Sequence, residues 1–208
     1  MKSFTIIDIS WPISHNMTAY KDRHVVQITP TKNFESDGVR ESLITLGSHT
    51  GTHIDAPAHF LSDGIRLADI TLDKLYGPCR VIDCTQCVEK ITIQDLHNQP
   101  LEDAKIILLK TKNSALAPDS PFDPNFVYLT HDAAQLLVDK KISVIGIDYL
   151  GIERNQPGHE THQILMNHDI IIIEGLRLQH VQPGSYTLCC LPLSVNLDAG
   201  PARAILLQ

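Results

Sequence analysis

The sequence predicts an α/β domain in which strands dominate, with one mixed sheet that curls on itself into a barrel and few helices along its flank. Three observations carry this reading. Short β-branched runs recur along the whole chain. Stretches with helical periodicity are few and short. The chain of 208 residues has no repeat or low-complexity linker, so residues 1–208 are read as one domain, large enough to bury a real core.

In order, the strand-like runs are FTIIDI (4–9), VVQIT (25–29), SLITL (42–46), CRVIDC (79–84), KIILLK (105–110) and NFVYLT (125–130). ISVIGIDY (142–149), DIIIIEGL (169–176), YTLCCLPL (186–193) and the closing ARAILLQ follow. Three helices are expected. Thr130 is an N-cap for HDAAQLLVDKK, with Asp132 near the positive end, Lys140 and Lys141 near the negative end, and Ala133, Leu136 and Leu137 on one face. HETHQILMNH (159–168) and TIQDLHN (92–98) are the others. NSALAPDSPFDPN (113–125) holds three prolines and no periodicity, so it is a loop.

The 17 basic and 24 acidic residues leave a formal charge of −7, which argues against broad binding to nucleic acid or an anionic membrane. No segment has the roughly 18 uninterrupted apolar residues of a membrane span. The N-terminus does not read as a signal peptide, so a cytoplasmic location is expected. Five cysteines, an odd number, point to reduced thiols. Cys84 and Cys87 form a CxxC without a second Cys or His pair, and Cys189 and Cys190 alternate between a core face and an outer face.

The chemistry concentrates in GSHTGTHIDAPAHF (47–60). His49, His53, Asp55 and His59 share odd parity, so an extended chain projects them to one side. A helix could also align His49 with His53, but Thr50, Gly51, Thr52 and Pro57 weigh against one. Imidazoles and a carboxylate on one face suit zinc or a similar divalent ion. Glu174 adds an independent signal. It interrupts IIIIEGL, where a buried charge costs several kcal/mol unless it is paired or bound to a cation. Asp148, ending another strand-like run, reads mainly as a turn-capping carboxylate or one that supports a ligand.

HTGTHIDAPAH (49–59) resembles the HxGTHxDxPxH signature of the cyclase family of metal-dependent hydrolases, which includes bacterial kynurenine formamidases, isatin hydrolases and certain polyketide cyclases. DIS (8–10), VIGIDYLGIE (144–153), the run from His162 to Glu174 with Gly175 and Leu176, and LPLSVNLDAGPARAILL (191–207) look like further landmarks of the family. The resemblance implies a fold of the swivelling β/β/α type. It implies that His49, His53 and Asp55 bind one metal, that Asp55 bridges to a second, and that His162 and Glu174 complete the pair. Zinc is expected, with manganese the alternative, since both suit these ligands. His162 is preferred to His159 for its separation from Glu174. His159, His168, His15, His24, His97, His131 and His180 are read as surface or supporting residues.

His59 is the residue that the resemblance makes the proton carrier in amide hydrolysis, a role suited to imidazole. In the formamidase branch the substrate is N-formylkynurenine, held by a tryptophan near the N-terminus. Tyr20, in AYKD, stands at that place here. It can still stack on an aryl ring, but with a smaller face and a hydroxyl. Trp11 is expected to pack on a strand. Hydrolysis of a cyclic amide such as isatin or of a lactone is the near alternative, and a metal-dependent binding protein without turnover the distant one. The resemblance also implies a homo-oligomer, most simply a dimer.

Overall fold

The β-branched runs pair largely where the sequence expects strands. A computed structural model describes residues 5–23, 26–101 and 104–208. The strands are β1 (Ile6–Asp8), β2 (Gln27–Lys32), β3 (Glu41–Thr45), β4 (His53–Asp55), β5 (Tyr76–Asp83), β6 (Lys90–Ile91) and β7 (Ile106–Lys110). They continue with β8 (Tyr128–Leu129), β9 (Val144–Ile147), β10 (Ile171–Glu174), β11 (Gly184–Pro192) and β12 (Ala199–Leu207). The helices are α1 (Phe34–Asp37), α2 (Ile93–His97), α3 (His131–Asp139) and α4 (Glu160–Met166). The expected strand starts at Phe4 and Val25 lie outside the described residues.

Seven strands close into a ring in the order β12-β11-β5-β7-β9-β10-β4, because β4 pairs with both β10 and β12. The β5-β7-β9-β10 pairs are parallel and the rest of the ring is antiparallel, while β1 adds to β12 outside it. The sheet is therefore mixed and barrel-like, as expected.

Alternation along the parallel strands sorts their side chains into two cores. Ile106, Leu108, Val144, Ile171 and Ile173 join Ile54, Leu188, Ala204 and Leu206, residues contributed from around the ring, and fill its interior. Ile107, Leu109, Ile145, Ile147 and Ile172 face the other way and pack under Leu96 of α2, Leu137 of α3 and Leu165 of α4. Each fully buried side chain of this kind contributes about 1.5–3 kcal/mol.

Thr130 caps α3, its side chain accepting from Ala133 N at 3.3 Å, and Ala133 and Leu137 are buried as their spacing predicts. Two expectations change. NFVYLT yields only the two paired residues of β8, because the Asn113 side chain takes both Val127 N and Val127 O, at 2.8 and 2.9 Å, and so occupies the groups a longer strand would use. α1 went unforeseen, since one turn between the Asn33 cap and left-handed Gly38 is too short for periodicity. All five cysteines are free; Cys84, Cys87 and Cys190 are buried and Cys189 is half-buried. Trp11 is buried beside Tyr149 and donates from Nε1 to Pro118 O at 2.9 Å. It follows β1 and packs in a cluster with Met17, Val26, Phe126 and Leu150.

Candidate metal centre

β4 and β10 pair antiparallel with His53 opposite Glu174, and this register brings the imidazole and the carboxylate together on one face. The approach of the two chains needs glycine twice. Gly51 has φ 60°, and a Cβ on Gly175, at φ 70°, would stand 2.1 Å from Gly51 O. Thr52 ties the crossing, donating to Gly175 O at 2.5 Å and accepting from Trp11 N at 2.7 Å.

The extended stretch is shorter than its parity suggests. Only His53 to Asp55 is strand. His49 precedes the left-handed turn at Gly51, and His59 ends a 3-10 turn that Pro57 opens, so a turn on each side, rather than alternation, carries these two histidines to the same cluster. His49 Nδ1 lies 2.9 Å from Asp55 Oδ1. The His49 and His59 rings are 4.1 Å apart.

At the bottom of the cluster His53, Asp55, Glu174 and His162 are all buried. His53 Nδ1 lies 2.9 Å from Gly51 O; a carbonyl only accepts, so Nδ1 carries the proton. Nε2 then faces Asp55 Oδ1 at 3.4 Å and Glu174 Oε2 at 3.5 Å. His162 Nε2 lies 3.5 Å from Glu174 Oε1 and 3.7 Å from Asp55 Oδ2. Among the described residues, His53 Nε2, Asp55 Oδ1 and His162 Nδ1 have no partner of hydrogen-bonding geometry.

Buried lone pairs and buried carboxylates turned toward one another require a positive charge between them. Without an ion, a proton fills that need. Burial disfavours the charged His53, yet the adjacent carboxylates of Asp55 and Glu174 outweigh it and raise its pKa to about 10. Burial and the Asp55 charge raise Glu174, while His162 and His53 overcome them and bring it to about 2. The donor set of imidazoles and carboxylates fits a divalent cation, which would replace that proton. His53, Asp55 and Glu174 offer atoms within 4.8 Å of one another, as do His49, Asp55 and His59.

His59 differs from its neighbours. Burial lowers its pKa, a trend that the Asp55 charge opposes and the His49 charge reinforces, so the imidazole is neutral at neutral pH. It stands on the wall of a cavity of about 560 Å³ together with Tyr20, Phe60 and Met17. Tyr20 is 40% exposed and its ring meets Phe122 edge-on at 5.0 Å.

Two acidic residues escaped the sequence reading. Asp198 Oδ2 lies 2.9 Å from His49 Nε2 and 3.2 Å from His59 Nδ1. Glu153 contacts His159 and His162. Both sat inside quoted landmarks, and the reasoning applied to Glu174, an acid in an apolar stretch, would have marked Glu153 in YLGIE. His15, His97, His131, His159, His168 and His180 are exposed, and His24 lies outside the described residues. Asp148 is away from the cluster and caps the turn at Thr111–Ser114.

Residues 7–154 match the family described as "Putative cyclase". The chain belongs to the cyclase family. It is 34% identical to a kynurenine formamidase of Bacillus cereus, over 99% of both chains. Among solved structures, this cyclase-family chain resembles a predicted metal-dependent hydrolase from Bacillus stearothermophilus at 40% identity and TM-score 0.88, covering 99% of each. A potential metal-dependent hydrolase with cyclase activity is similar at 39% identity and TM-score 0.89, over 99% of this chain and 98% of the other. Among the described residues, no helix is long and apolar enough to cross a membrane.

Proposed function

We propose that this chain is a metal-dependent amidohydrolase that cleaves an aryl formamide of the N-formylkynurenine type to an aryl amine and formate. The observation that carries the reading is the arrangement of His53, with Nδ1 committed to Gly51 O and Nε2 turned on two buried carboxylates at the foot of a cavity with aromatic walls. The full-length similarity to a kynurenine formamidase supports the substrate class.

His49, His53, Asp55, His162 and Glu174 are the residues that would hold two divalent cations, Zn²⁺ before Mn²⁺. When bound, such ions supply Lewis acidity that polarises a carbonyl and lowers the pKa of water. The chain's own groups do the rest. His59, neutral and on the cavity wall, accepts a proton from the attacking water and returns it to the departing nitrogen. The water oxygen adds to the formyl carbon, the carbon–nitrogen bond breaks, and the nitrogen leaves as the amine. Tyr20 walls the aryl ring.

Residues 1–208 act as one domain in this reading, in the cytoplasm, and the working species is a homodimer. Both faces of β2 and β3 lie largely at the surface and expose Leu43 and Ile44, with Phe34 between the two strands, apolar area that a second copy would cover.

Purified protein loaded with Zn²⁺ or Mn²⁺ should release formate from N-formylkynurenine, with about two ions per chain by elemental analysis. Absence of formate at every metal loading overturns the reading; ring opening of isatin instead moves the substrate and keeps the chemistry.

A further inference from the structure

Glu153 lies on the loop after β9 with 7% of its surface exposed. Its Oε1 stands 3.1 Å from His162 Nδ1 and 2.5 Å from His159 Nδ1, and its Oε2 accepts from His162 N at 3.2 Å. An ionised carboxylate only accepts, so His159 carries a proton on Nδ1. His162 Nδ1 is buried and stands at ion-pair distance from the same carboxylate, outside hydrogen-bonding geometry and with no other partner among the described residues, so the negative charge beside it favours the proton on Nδ1 there too. For His162 this leaves Nε2 as the nitrogen that faces Glu174 and Asp55.

Capping the first turn of α4 needs only the contact of Oε2 with His162 N. The other oxygen serves two rings, and that is more than a cap requires. Phe60 closes the arrangement, its ring centroid 4.5 Å from His162 and 4.7 Å from His159. His159 reaches Glu153 from a left-handed backbone, φ 53° and ψ 42°, which costs a residue with a Cβ about 1–2 kcal/mol. Its contacts with Glu153 and Phe60 offset that cost.

We propose that Glu153 is a positioning residue for a divalent cation: it fixes the Nδ1–H tautomer of His162 and holds the ring so that Nε2 is the ligand atom, while His159 pins the carboxylate from its exposed side. A carboxylate behind a ligating imidazole fixes the ring's orientation and strengthens the ligand, and its loss typically costs 10–100-fold in metal affinity. This inference rests on the metal reading above.

The test uses ion-free full-length protein and Zn²⁺ titrated against a chromophoric chelator, with the melting temperature of the ion-free protein recorded in parallel. Glu153→Ala should bind Zn²⁺ about 10–100-fold more weakly than the unaltered chain. Glu153→Gln keeps the shape and one acceptor oxygen; it should lose affinity severalfold while melting with the unaltered chain, and it carries the test alone if the alanine variant does not fold. Unaltered affinity in both variants overturns the proposal and leaves Glu153 a cap of α4. If the unaltered chain itself binds no Zn²⁺ or Mn²⁺, the metal reading fails first and this inference with it, a result distinct from normal binding by all three proteins.

Discussion

Asp148 and Glu174 follow or end the parallel neighbours β9 and β10, are both buried, and live in opposite surroundings. Around Asp148 every partner donates: Thr111 N at 2.8 Å, Thr111 Oγ1 at 2.7 Å, Ser114 N at 3.3 Å and Ser114 Oγ at 2.6 Å. Glu174, with Asp55, receives one backbone N–H, from Ile152 at 2.7 Å, and otherwise faces imidazole nitrogens. A buried carboxylate supplied with donors is a structural staple. One set against imidazoles whose protons are committed elsewhere is left needing a cation.

The sharpest way to break this comparison is to neutralise one acid of each kind. Asp55→Asn should abolish both divalent-ion uptake and hydrolysis. At an ion concentration about 100 times the dissociation constant, the unaltered chain gains about 2.7 kcal/mol from binding. That corresponds to roughly 5–10 °C in Tm for a domain of this size, and the variant should gain none of it. Asp148→Ala should do the reverse: ion content stays, while the unpaired N–H groups of Thr111 and Ser114 cost about 1–3 kcal/mol each. Calorimetry with and without Zn²⁺ reads both, and an equal loss of ion in the two variants would remove the distinction.

His59 comes next in expected size. It stands in the same cluster as Asp55, but its Nδ1 is held by Asp198 and its low pKa keeps it uncharged. His59→Gln should reduce kcat by about 10²–10⁴-fold with ion content unchanged. If elemental analysis showed the ions lost as well, His59 would belong with the ligands.

How much of this was legible beforehand depends on what held each residue. Glu174 could be found because an acid in an isoleucine run is costly wherever it falls, and the parallel strands because two-faced burial demands continuous apolar runs. Closure of the ring by β4 and β12 could not be read, since β4 is three residues long and its pairing is set by partners more than a hundred residues away. Parity gathered His49 and His59 with His53 for the wrong reason, because the turns at Gly51 and Pro57 break the alternation. Glu153 carries the same local mark as Glu174, an acid in an apolar stretch, whereas Asp198 acts on His49 and His59, far away in the sequence, and nothing local marks that partnership.

A pH dependence separates the two acids further. Burial, against the pull of its four donors, pushes the Asp148 carboxyl from its ordinary 3.8 up to about 6. The folded chain therefore holds this proton after the unfolded chain has released it. Stability from this group is complete below about pH 3.8, falls as pH rises toward about 6, and is flat above, a change on the order of 2–3 kcal/mol. Asp148→Asn should flatten that slope in urea titrations between pH 4 and 7; an unchanged slope would assign it to another group.

The smallest effect is expected where neither kind of acid is involved. Tyr20 meets Phe122 at 5.0 Å, a Cβ at Gly151 would come 3.4 Å from its ring, and Lys21 Nζ stands 5.1 Å from its ring centroid, so aromatic and apolar packing carries most of the wall. Aromatic contacts of this kind contribute about 0.5–1.5 kcal/mol beyond buried area. Tyr20→Ala should then raise KM for an aryl formamide by about tenfold, with ion content and the pH profile of kcat unmoved. Tyr20→Phe should stay within about twofold if the ring face does the holding, whereas a loss equal to that of alanine would give the role to the hydroxyl. Because the wall lies outside the charge pattern that separates Asp148 from Glu174, Tyr20 variants should change which aryl substrate is held while the metal chemistry beneath stays as it is.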